Sequence, residues 1–466
     1  MALRTYNTLS REIEEFKPLS GNDVKVYICG LTVYDHMHIG HARTYIAFDA
    51  ILRYLRYKGY SVRYVQNVTD IDDKIIKRAK ERGVDPITLS SEYALKSRED
   101  QRSLGLLEAD AYPKVSESIK DIISAIEILI KKDCAYVSDG SVYFDVSKFP
   151  EYGRLSNQDT EKLDKHRIEP DPNKRTPLDF SLWKRTPAGE VSYESPWGPG
   201  RPGWHIECSV MARKYLGDQL DIHGGALDLI FPHHENEIAQ SECLTGKKPY
   251  VRYWMHTGFL QSSGEKMSKS LGNIISIREF SREHSMQAFR LFILKTHYRS
   301  PIDYSAENVS AAENALEKLC NYRKELEYAI GKAEDGGETQ SSDISKELLE
   351  SFRKEMDDDY NTPRALAAVY EAVRRINPLL FESNESKTSF REALKIFDEL
   401  MHVFGLDLSA KTDYFTEVEK KLIDERNTHR KNKNWTEADR LRKLLLEKGI
   451  KLNAKGDGTT VAERQS

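Results

Sequence analysis

The sequence predicts an α/β protein built on a doubly wound parallel sheet, with an insertion in the sheet, a helical bundle after it and a small C-terminal domain. Three observations predict this architecture. A strand, a helix and a second strand follow one another near the N-terminus, sheet-like segments return after an interval rich in Pro and Gly, and helical periodicity dominates after about Arg299. At 466 residues the chain exceeds a single core, so we expect three or four structural units.

The first β-α-β unit lies between residues 24 and 65. Residues 24–28 alternate apolar and polar side chains as a half-buried strand does, and residues 61–65 form a second strand-like segment. Between them, apolar residues recur at helical spacing over 42–57, and Gly59 ends the run. Ligands of such sheets lie beyond the carboxyl ends of the strands, and residues 38–41 fall at such an end.

The second half of the sheet is predicted after an insertion. Residues 133–203 are rich in Pro, Gly and Asp and contain short β-like pieces such as 140–144. Sheet-like sequence resumes at 220–225, and a further strand is predicted around 253–255. We therefore interpret 133–203 as an insertion between two halves of one sheet.

The region after Arg299 is predicted to be helical, with an internal loop. The polar stretch 335–342 is typical of a loop between helices. Another helix is expected to start at residues 361–363, with Thr362 as its N-terminal cap and Pro363 in its first turn.

Composition argues against two classes of protein. The chain is 39% hydrophobic and 31% charged, with a net charge of -4, and has no apolar run long enough to span a bilayer. Its N-terminus lacks the features of a signal peptide, so we expect a cytoplasmic protein without a membrane segment. Five scattered cysteines are too few for a disulfide framework and are instead candidates for metal ligands or buried apolar side chains.

Charge is distributed unevenly along the chain. Residues 417–466 hold 13 Lys/Arg and 9 Asp/Glu, a net +4, which leaves -8 for residues 1–416. A basic tail on an acidic body indicates a polyanionic partner, although a solvated helix face would give the same count.

Two short motifs have the chemistry of a phosphate site. Residues 38–41, His-Ile-Gly-His, stand where the first strand leads into a helix, so that imidazoles, free N–H groups and the helix dipole favour anions. Gly40 lets a nucleotide approach the backbone closely. Some 225 residues later, residues 266–270, Lys-Met-Ser-Lys-Ser, supply two ammonium groups. Either motif alone could be a chance string or a solvated loop.

In this order, the two motifs resemble the signature sequences of class I aminoacyl-tRNA synthetases, which activate an amino acid with ATP and then esterify it to tRNA. The resemblance implies a Rossmann-like fold and Mg²⁺ bound with ATP. It also implies that the lysine loop closes over ATP, with Gly264 and Gly272 as hinges or as ordinary turn residues, and that Lys269 above all stabilises departing pyrophosphate. The implied catalytic and ATP-binding residues are His38, His41, Lys266 and Lys269, with Gly40 beside them in the ATP site.

Three further segments resemble those of cysteinyl-tRNA synthetases, and the match runs over almost the whole chain. They are Asn-Val-Thr-Asp-Ile-Asp-Asp-Lys at 67–74, Gly-Trp-His-Ile-Glu-Cys-Ser at 203–209 and Phe-Pro-His-His-Glu-Asn-Glu at 231–237. Spacing alone supports a metal site only in part. His233 and Glu237 share one face of a helix that Pro232 would start, whereas the cysteines are far apart.

The resemblance to cysteinyl-tRNA synthetases implies a zinc ion that binds the sulfur of the substrate. Its implied ligands are Cys29, Cys208, His233 and Glu237. A metal deprotonates a thiol, whereas a serine hydroxyl is a poor ligand that keeps its proton, so such a site excludes serine. The alternative is a structural zinc ion with four protein ligands and no place for a substrate.

The same resemblance implies supporting roles for other residues, each of which could instead be a packed core side chain. Thr69 and Trp204 would contact the substrate cysteine. The floor of the site would be lined by His205, His234 and His256. Two positions depart from the family pattern: Leu31 stands where Pro is usual, and Val461 stands where Trp is common near the anticodon-reading tail.

The tail interleaves cations with an aromatic side chain, which is typical of RNA-binding surfaces. Alternatively, Trp435 is the core of the small domain. The residues predicted to contact tRNA are Arg430, Lys431, Trp435 and Arg440, with Lys433 and Arg442 close to them in sequence.

The resemblance thus implies a monomeric ligase that uses L-cysteine, ATP and tRNA(Cys). Two alternatives stay open: a ligase that attaches cysteine to an amino sugar, and an inactive relative retained as an RNA-binding module. The predicted units are a split Rossmann-like catalytic domain at 1–132 and 204–250, a connective insertion at 133–203, a stem-contact region with the lysine loop at 251–305, a helical bundle at 306–408 and a small basic anticodon-binding domain at 409–466.

Overall fold

The computed structural model describes residues 2–157, 171–187, 189–262, 265–266, 274–408, 417–454 and 460–464. Gly264, Lys269 and Gly272 lie outside these ranges. For Lys266 and Val461 the structure describes the backbone alone.

The described strands number fifteen and are labelled in chain order. They are β1 (Arg4–Asn7), β2 (Glu12–Glu15), β3 (Asp23–Ile28), β4 (Ser61–Gln66), β5 (Ala135–Ser138), β6 (Ser141–Phe144), β7 (Phe180–Arg185), β8 (Gly200–Pro202), β9 (Leu220–Ala226), β10 (Val251–Thr257), β11 (Leu260–Ser262), β12 (Glu265–Lys266), β13 (Ile302–Asp303), β14 (Ile450–Ala454) and β15 (Thr460–Arg464).

The described α-helices number fourteen. They are α1 (Ile39–Tyr57), α2 (Asp73–Arg82), α3 (Pro86–Ser103), α4 (Ile119–Lys131), α5 (Trp204–Leu216), α6 (Glu235–Thr245), α7 (Ile277–Glu283), α8 (Met286–Leu294), α9 (Ala306–Lys332), α10 (Gln340–Met356), α11 (Thr362–Ile376), α12 (Lys387–Phe404), α13 (Glu417–Lys431) and α14 (Trp435–Glu447).

The central sheet is parallel, with the strand order β10-β9-β3-β4. Helix α1 connects β3 to β4, and α6 connects β9 to β10, so the two halves wind outward from β3 and β9. The strand order therefore reverses between β3 and β9, which is where doubly wound sheets bind ligands. The predicted sheet and its four strands are confirmed.

The two faces of β3 pack into different apolar cores, as the alternation of its side chains dictates. Val26 and Ile28 pack with α1, α8 and the helices that follow residue 306. Tyr27 packs with α5, α6 and the insertion. Each face of the sheet is thus covered, which accounts for the near-continuous apolar character of β3 at its carboxyl end.

The insertion forms an antiparallel sheet with the order β5-β6-β7-β8. Phe144 and Phe180 stack across β6 and β7 at 5.0 Å between ring centroids, and Trp183 is fully buried. Because Trp183 lies in the same apolar core as Tyr27, the insertion packs directly against the central sheet.

The helices after residue 305 form the predicted bundle, with two differences from the sequence prediction. The loop expected at 335–342 ends at residue 339, because Gln340 already begins α10. The cap of α11 is Asn361, whose side chain accepts from the Arg364 N–H. Thr362 was wrongly predicted to cap this helix; its hydroxyl instead donates to the Leu294 carbonyl at 2.8 Å.

The C-terminal unit contains α13, α14 and the hairpin of β14 and β15. Its small apolar core includes Leu445, Ile450 and Leu452. Among the described residues, none of the helices combines the length and apolar character needed to cross a membrane.

A buried ion pair joins the sheet domain to the bundle. Arg290 of α8 is fully buried and contacts the carboxylate of Asp49 on α1 and the carbonyl of Phe404 at the end of α12. Asp49 also accepts from Arg53 and from the Leu107 N–H, each at 2.7 Å. Burial alone would raise the pKa of Asp49, but Arg290, Arg53 and the Leu107 N–H outweigh it and lower that pKa.

The Asp49→Asn substitution should lower the free energy of unfolding by about 3–5 kcal/mol at neutral pH, because it leaves Arg290 buried without its counter-charge. The folded pKa of Asp49 lies below its unfolded value, so the contribution of the carboxylate is present above the unfolded pKa of about 3.9 and is lost as pH falls through the folded value. Urea unfolding at pH 7 and pH 3 measures both effects. The control is Asp398→Asn, whose partly exposed pair with Arg323 should contribute less than about 1 kcal/mol. Equal losses for the two variants would contradict this account.

Candidate metal and nucleotide site

The site is built around Cys29, which follows β3 at the point where the strand order reverses. The Cys29 N–H donates to the Gly224 carbonyl of β9 at 3.2 Å, so the thiol is held between the two halves of the sheet. The next residue must be glycine, because a Cβ on Gly30 would lie 1.6 Å from the Asn67 carbonyl oxygen. Leu31 stands where the family usually has Pro. Its carbonyl accepts from the Thr69 N–H at 3.1 Å, which bonds this turn to the segment after β4.

Four buried side chains converge beyond the ends of β3 and β9. They are Cys29, Cys208, His233 and Glu237, and their ligand atoms all lie within 4.8 Å of one another. Helix α5 carries Cys208, α6 carries Glu237, and the irregular turn Ile230–His234 carries His233. The helix itself begins at Glu235, three residues later than Pro232 suggested, but His233 Nε2 still lies 3.0 Å from Glu237 Oε1 across the predicted four-residue spacing.

The separations between these atoms are close to those around a tetrahedral metal ion. Zinc bonds of about 2.0 to 2.3 Å place neighbouring ligands about 3.3 to 3.8 Å apart. Cys29 Sγ lies 3.5 Å from His233 Nε2, within this range, while its distance of 3.9 Å to Glu237 Oε1 and the 3.0 Å between His233 and Glu237 lie just outside it. Two thiols, an imidazole and a carboxylate form a donor set that suits zinc better than Mg²⁺ or Ca²⁺.

A second set of four side chains shares two members with the first. It consists of Cys29, His223, His234 and Glu237, again within 4.8 Å of one another. His234 Nε2 lies 3.4 Å from Cys29 Sγ, and His223 Nε2 lies 3.0 Å from Glu237 Oε2. The geometry of the donor atoms alone therefore permits two metal positions.

The ligands of the first set have hydrogen-bonding partners that orient them. Metal ligands normally make a second hydrogen bond that fixes their orientation. In the first set, Glu237 presents Oε1 to His233 and keeps Oε2 for His223, and the second ring nitrogen of His233 lies 3.0 Å from His205 Nδ1. His223 and His205 thus orient two ligands. Sequence reasoning missed His223; its signal was a histidine near the carboxyl end of a predicted strand of the central sheet.

Three residues form a chain that ends at the Cys29 sulfur. Thr8 Oγ1 lies 2.9 Å from His256 Nδ1, and His256 Nε2 lies 2.8 Å from His234 Nδ1. Burial lowers the pKa of His256 to about 3 and holds the pKa of His234 well below its ordinary value. Both rings are therefore neutral, and one consistent arrangement has Thr8 donate to His256, His256 to His234, and His234 to the thiol.

The buried charges of the cluster balance one another. Burial would raise the pKa of Glu237, but His223 and His233 outweigh it and lower that pKa to about 2. A hydrogen bond from Cys29 lowers the pKa of Cys208 to about 6, while burial and Cys208 raise the pKa of Cys29. Burial would lower the pKa of His233, but Glu237 and Cys208 outweigh it and raise that pKa to about 10. The cluster therefore holds a carboxylate and a thiolate against one imidazolium, and the remaining negative charge attracts a divalent cation.

Trp204 and Thr69 lie at the edges of this cluster. The Trp204 ring stacks on His233 at 4.4 Å between centroids and stays 39% exposed, so it forms a wall of the site that solvent reaches. Thr69 is buried, and its hydroxyl accepts from the Asn67 side chain at 3.1 Å. Asn67 in turn accepts from the Gly30 N–H at 2.8 Å, which ties Thr69 to the turn beside Cys29.

The histidines of the first motif cap helix α1. His38 is the N-terminal cap rather than a member of the helix; its Nδ1 accepts from the His41 N–H at 3.3 Å, and His41 Nδ1 accepts from the His38 N–H at 3.4 Å. The rings stack at 3.5 Å between centroids. Because both Nδ1 atoms accept, each neutral ring carries its proton on Nε2, a donor suited to phosphate oxygens.

The structure brings the segment that follows the lysine motif to the first motif. The Ile39 N–H donates to the Ile275 carbonyl at 3.0 Å, and the Ile277 N–H donates to the Met37 carbonyl at 2.9 Å. The backbone just after the lysine motif is thus bonded to the backbone on either side of His38. Lys266 lies on β12, and Lys269 lies outside the described residues.

The tail residues lie where α13 ends and α14 begins. Trp435 is the first residue of α14 and is 57% exposed, so it is not the core of this unit. Lys431 is exposed at the end of α13, and Arg440 pairs with Glu437 at 2.6 Å. Arg430 precedes Lys431 on α13. These four residues lie far along the chain from the metal cluster and form no part of it.

Comparisons with known proteins identify a family. Residues 15–314 match the family model of the tRNA synthetases class I (C) catalytic domain, and residues 351–409 match the DALR domain. The chain is 49% identical to the cysteine–tRNA ligase of Thermococcus gammatolerans, with 98% of each chain covered. It is 46% identical to the cysteine–tRNA ligase of Halalkalibacterium halodurans, with 97% of each covered.

Solved structures show the same fold at lower identity. The methionyl-tRNA synthetase of Mycobacterium tuberculosis in complex with methionyl-adenylate matches with a TM-score of 0.64 at 18% identity. The match covers 82% of this chain and 90% of that chain.

Metal titration of the purified chain distinguishes the two possible ligand sets. We expect one Zn²⁺ per chain, and we expect Cys208→Ala to weaken zinc binding by more than the roughly 10- to 100-fold that loss of an orienting partner such as His223 causes. Competition with a chromophoric chelator measures the zinc affinity of Cys208→Ala and of a variant that lacks His223. Cys320→Ala, which removes a buried cysteine far from the cluster, is the control and should leave zinc binding unchanged. Tight zinc binding by Cys208→Ala, with loss in His234→Ala, would assign the metal to the other set.

Proposed function

The chain belongs to the cysteine–tRNA ligases of class I, and from that premise we propose how its residues divide the work of the reaction. The proposed reaction has two steps in one site. L-cysteine and ATP give cysteinyl-adenylate and pyrophosphate, and the cysteinyl group then passes to the 3′-terminal adenosine of tRNA(Cys).

In the first proposed step, a carboxylate oxygen of cysteine bonds to the α-phosphorus of ATP, and the bond from that phosphorus to the bridging oxygen of pyrophosphate breaks. Negative charge builds on the phosphates, so catalysis requires donors and cations in fixed positions. His38 and His41 would supply Nε2–H donors at the N-terminus of α1, where the helix dipole also favours anions. Lys266 and Lys269 would neutralise the leaving pyrophosphate, and Mg²⁺ would enter with ATP.

The observation that supports this division is the backbone bonding between the first motif and the segment after the second. Because Ile39 bonds to Ile275 and Met37 to Ile277, the segment that follows the lysine motif lies against the helix cap formed by His38.

In the second proposed step, a ribose hydroxyl of the terminal adenosine attacks the carbonyl carbon of the adenylate, and AMP leaves.

We propose that the buried cluster selects the thiol of the substrate. A zinc ion held by Cys29, Cys208, His233 and Glu237 would bind a thiolate sulfur and discriminate against a hydroxyl. Trp204, whose ring stacks on His233, would cover the substrate side chain. Thr69 would border the substrate from the turn after β4. Pocket shape alone separates near-isosteres by only about 10- to 200-fold, so ligand chemistry provides the selectivity that shape does not.

We propose that the bundle and the basic C-terminal unit bind the body of the tRNA, with the anticodon against α13 and α14. The exposed ring of Trp435 among cations supports this, since an unstacked base binds such a surface. A small acceptor such as an amino sugar would need neither unit.

Because both motifs and all four proposed ligands come from one chain, the proposed active form is a monomer, and we propose that it acts in the cytoplasm.

Exchange of pyrophosphate into ATP tests the thiol site. We expect exchange with cysteine to exceed that with serine by more than about 200-fold, beyond what pocket shape supplies, because serine is a poor zinc ligand. Cys208→Ala should abolish the cysteine-dependent rate, while Cys320→Ala retains it. Persistent exchange by Cys208→Ala would refute the proposed role of the cluster.

Charging of tRNA(Cys) tests the tail. Trp435→Ala should lower kcat/KM for the tRNA by about tenfold, since stacking of one base contributes about 1–3 kcal/mol. Pyrophosphate exchange should not change, because Trp435 belongs neither to the metal cluster nor to the two phosphate motifs. Tyr328→Ala removes another highly exposed ring, on α9, and serves as the matched control. Unchanged charging by Trp435→Ala would remove this residue from the proposed interface.

A further inference from the structure

Helix α2 presents a row of lysines to solvent immediately beside the site. The helix carries five cationic and two acidic side chains within its ten residues. Lys74, Lys77 and Lys80 are exposed at three-residue intervals, so they share one side of the helix. Within the described part of the chain, no carboxylate lies within 4.0 Å of their ammonium groups.

The arginines of the same helix differ from these lysines. Arg78 pairs with Asp35 at 4.0 Å and with Glu81 at 3.4 Å. Arg82 pairs with Glu92 at 3.9 Å and lies over the Tyr93 ring. The arginines therefore fasten α2 to the loop after β3 and to α3, while the three lysines keep their charge available to a partner.

The row of lysines begins beside the residues that border the site. Asp72 caps the start of α2, only three residues after Thr69. The Lys74 ammonium lies 5.9 Å from the centre of the Tyr34 ring, in the segment that joins Cys29 to His38. Lys80 lies about 9 Å farther along the helix axis, at a rise of 1.5 Å per residue.

The base of this helix is anchored on its other side as well. Asp73 pairs with Arg201 at 2.9 Å and with Lys184 at 3.4 Å, both from the insertion. The first turn of α2 is thus fixed between the sheet domain and the insertion, so the lysine row keeps a constant direction relative to the site. A fixed row of point charges suits a phosphate backbone that runs toward that site.

We infer that Lys74, Lys77 and Lys80 form a phosphate-binding face that holds the 3′ end of the tRNA while its terminal adenosine enters the site. This inference rests on the proposed function, which requires a single-stranded, polyanionic end to reach the cluster. The body of the protein is acidic overall, so an uncompensated basic row at the entrance directs that end to one path.

The test uses the full chain and a fluorescently labelled tRNA(Cys) transcript. Lys77→Glu with Lys80→Glu should raise the Kd for the tRNA by about tenfold or more, and should reduce the slope of log affinity against log salt by about 1.4, the value expected for two lost contacts to a single strand. Cysteine-dependent pyrophosphate exchange should stay at the wild-type rate, because neither residue belongs to the catalytic or binding machinery for ATP or cysteine. Replacement of both lysines by arginine should preserve binding.

The control variant reverses two lysines elsewhere. Lys120 and Lys131 on α4 are also exposed, and no ion pair is recorded for them in the part of the chain that the structure describes. Lys120→Glu with Lys131→Glu should leave both the Kd and the salt slope unchanged.

The outcomes separate the inference from the function on which it rests. Wild-type Kd and salt slope in the α2 variant would overturn the phosphate-binding face, even if the enzyme charges tRNA normally. Failure of the wild-type chain to exchange pyrophosphate or to charge tRNA would overturn the proposed function, while the direct binding measurement would still decide the role of the lysines. Equal losses in the α2 and α4 variants would assign the effect to net charge and overturn the inference.

Discussion

The buried carboxylate of Glu237 is the constraint on which the site depends. An ionised carboxylate in an apolar interior costs several kcal/mol unless both oxygens find partners. Glu237 meets this requirement with His233 on Oε1 and His223 on Oε2, each at 3.0 Å. These two contacts join α6, the turn before it and β9. They bring the carboxylate within 3.9 Å of the Cys29 sulfur at the end of β3, and so the two halves of the sheet meet at the cluster.

This arrangement places the proposed recognition of sulfur next to the proposed binding of phosphate. The loop that leaves β3 carries Cys29 at its start and His38 at its end, and α1 then returns into the core. The same loop supplies Tyr34 beneath Lys74 and Asp35 beside Arg78, which fixes the basic helix at the entrance. One short connection therefore contacts the cluster, the helix cap proposed to bind ATP and the path proposed for the tRNA end.

Local patterns in the sequence predicted the elements better than their contacts. Alternation of apolar and polar residues predicted β3, and helical spacing predicted α1. Both predictions are confirmed, because these elements depend on residues that are neighbours in the sequence. Cys29 and Cys208 meet only in the tertiary structure, so their spacing in the sequence could not predict that they share a site. The four ligands were predicted from the family resemblance instead. His223 was missed because its partner Glu237 is reached only when β9 packs on α6. At α11, Asn361 and Thr362 are both good caps, and the bond from Thr362 to Leu294 across the bundle decided between them. The exposure of Trp435 was likewise undecidable from charge pattern alone.

We propose that the cluster holds a zinc ion that binds the sulfur of the amino acid. Zinc X-ray absorption on the purified chain tests this by counting the sulfur atoms bound to the metal. Two sulfur ligands are expected in the protein alone, from Cys29 and Cys208. Addition of L-cysteine should raise the count to three sulfurs at about 2.3 Å, and addition of L-serine should leave it at two. A sulfur count that stays at two with saturating cysteine would contradict the claim and leave the cluster a purely structural site.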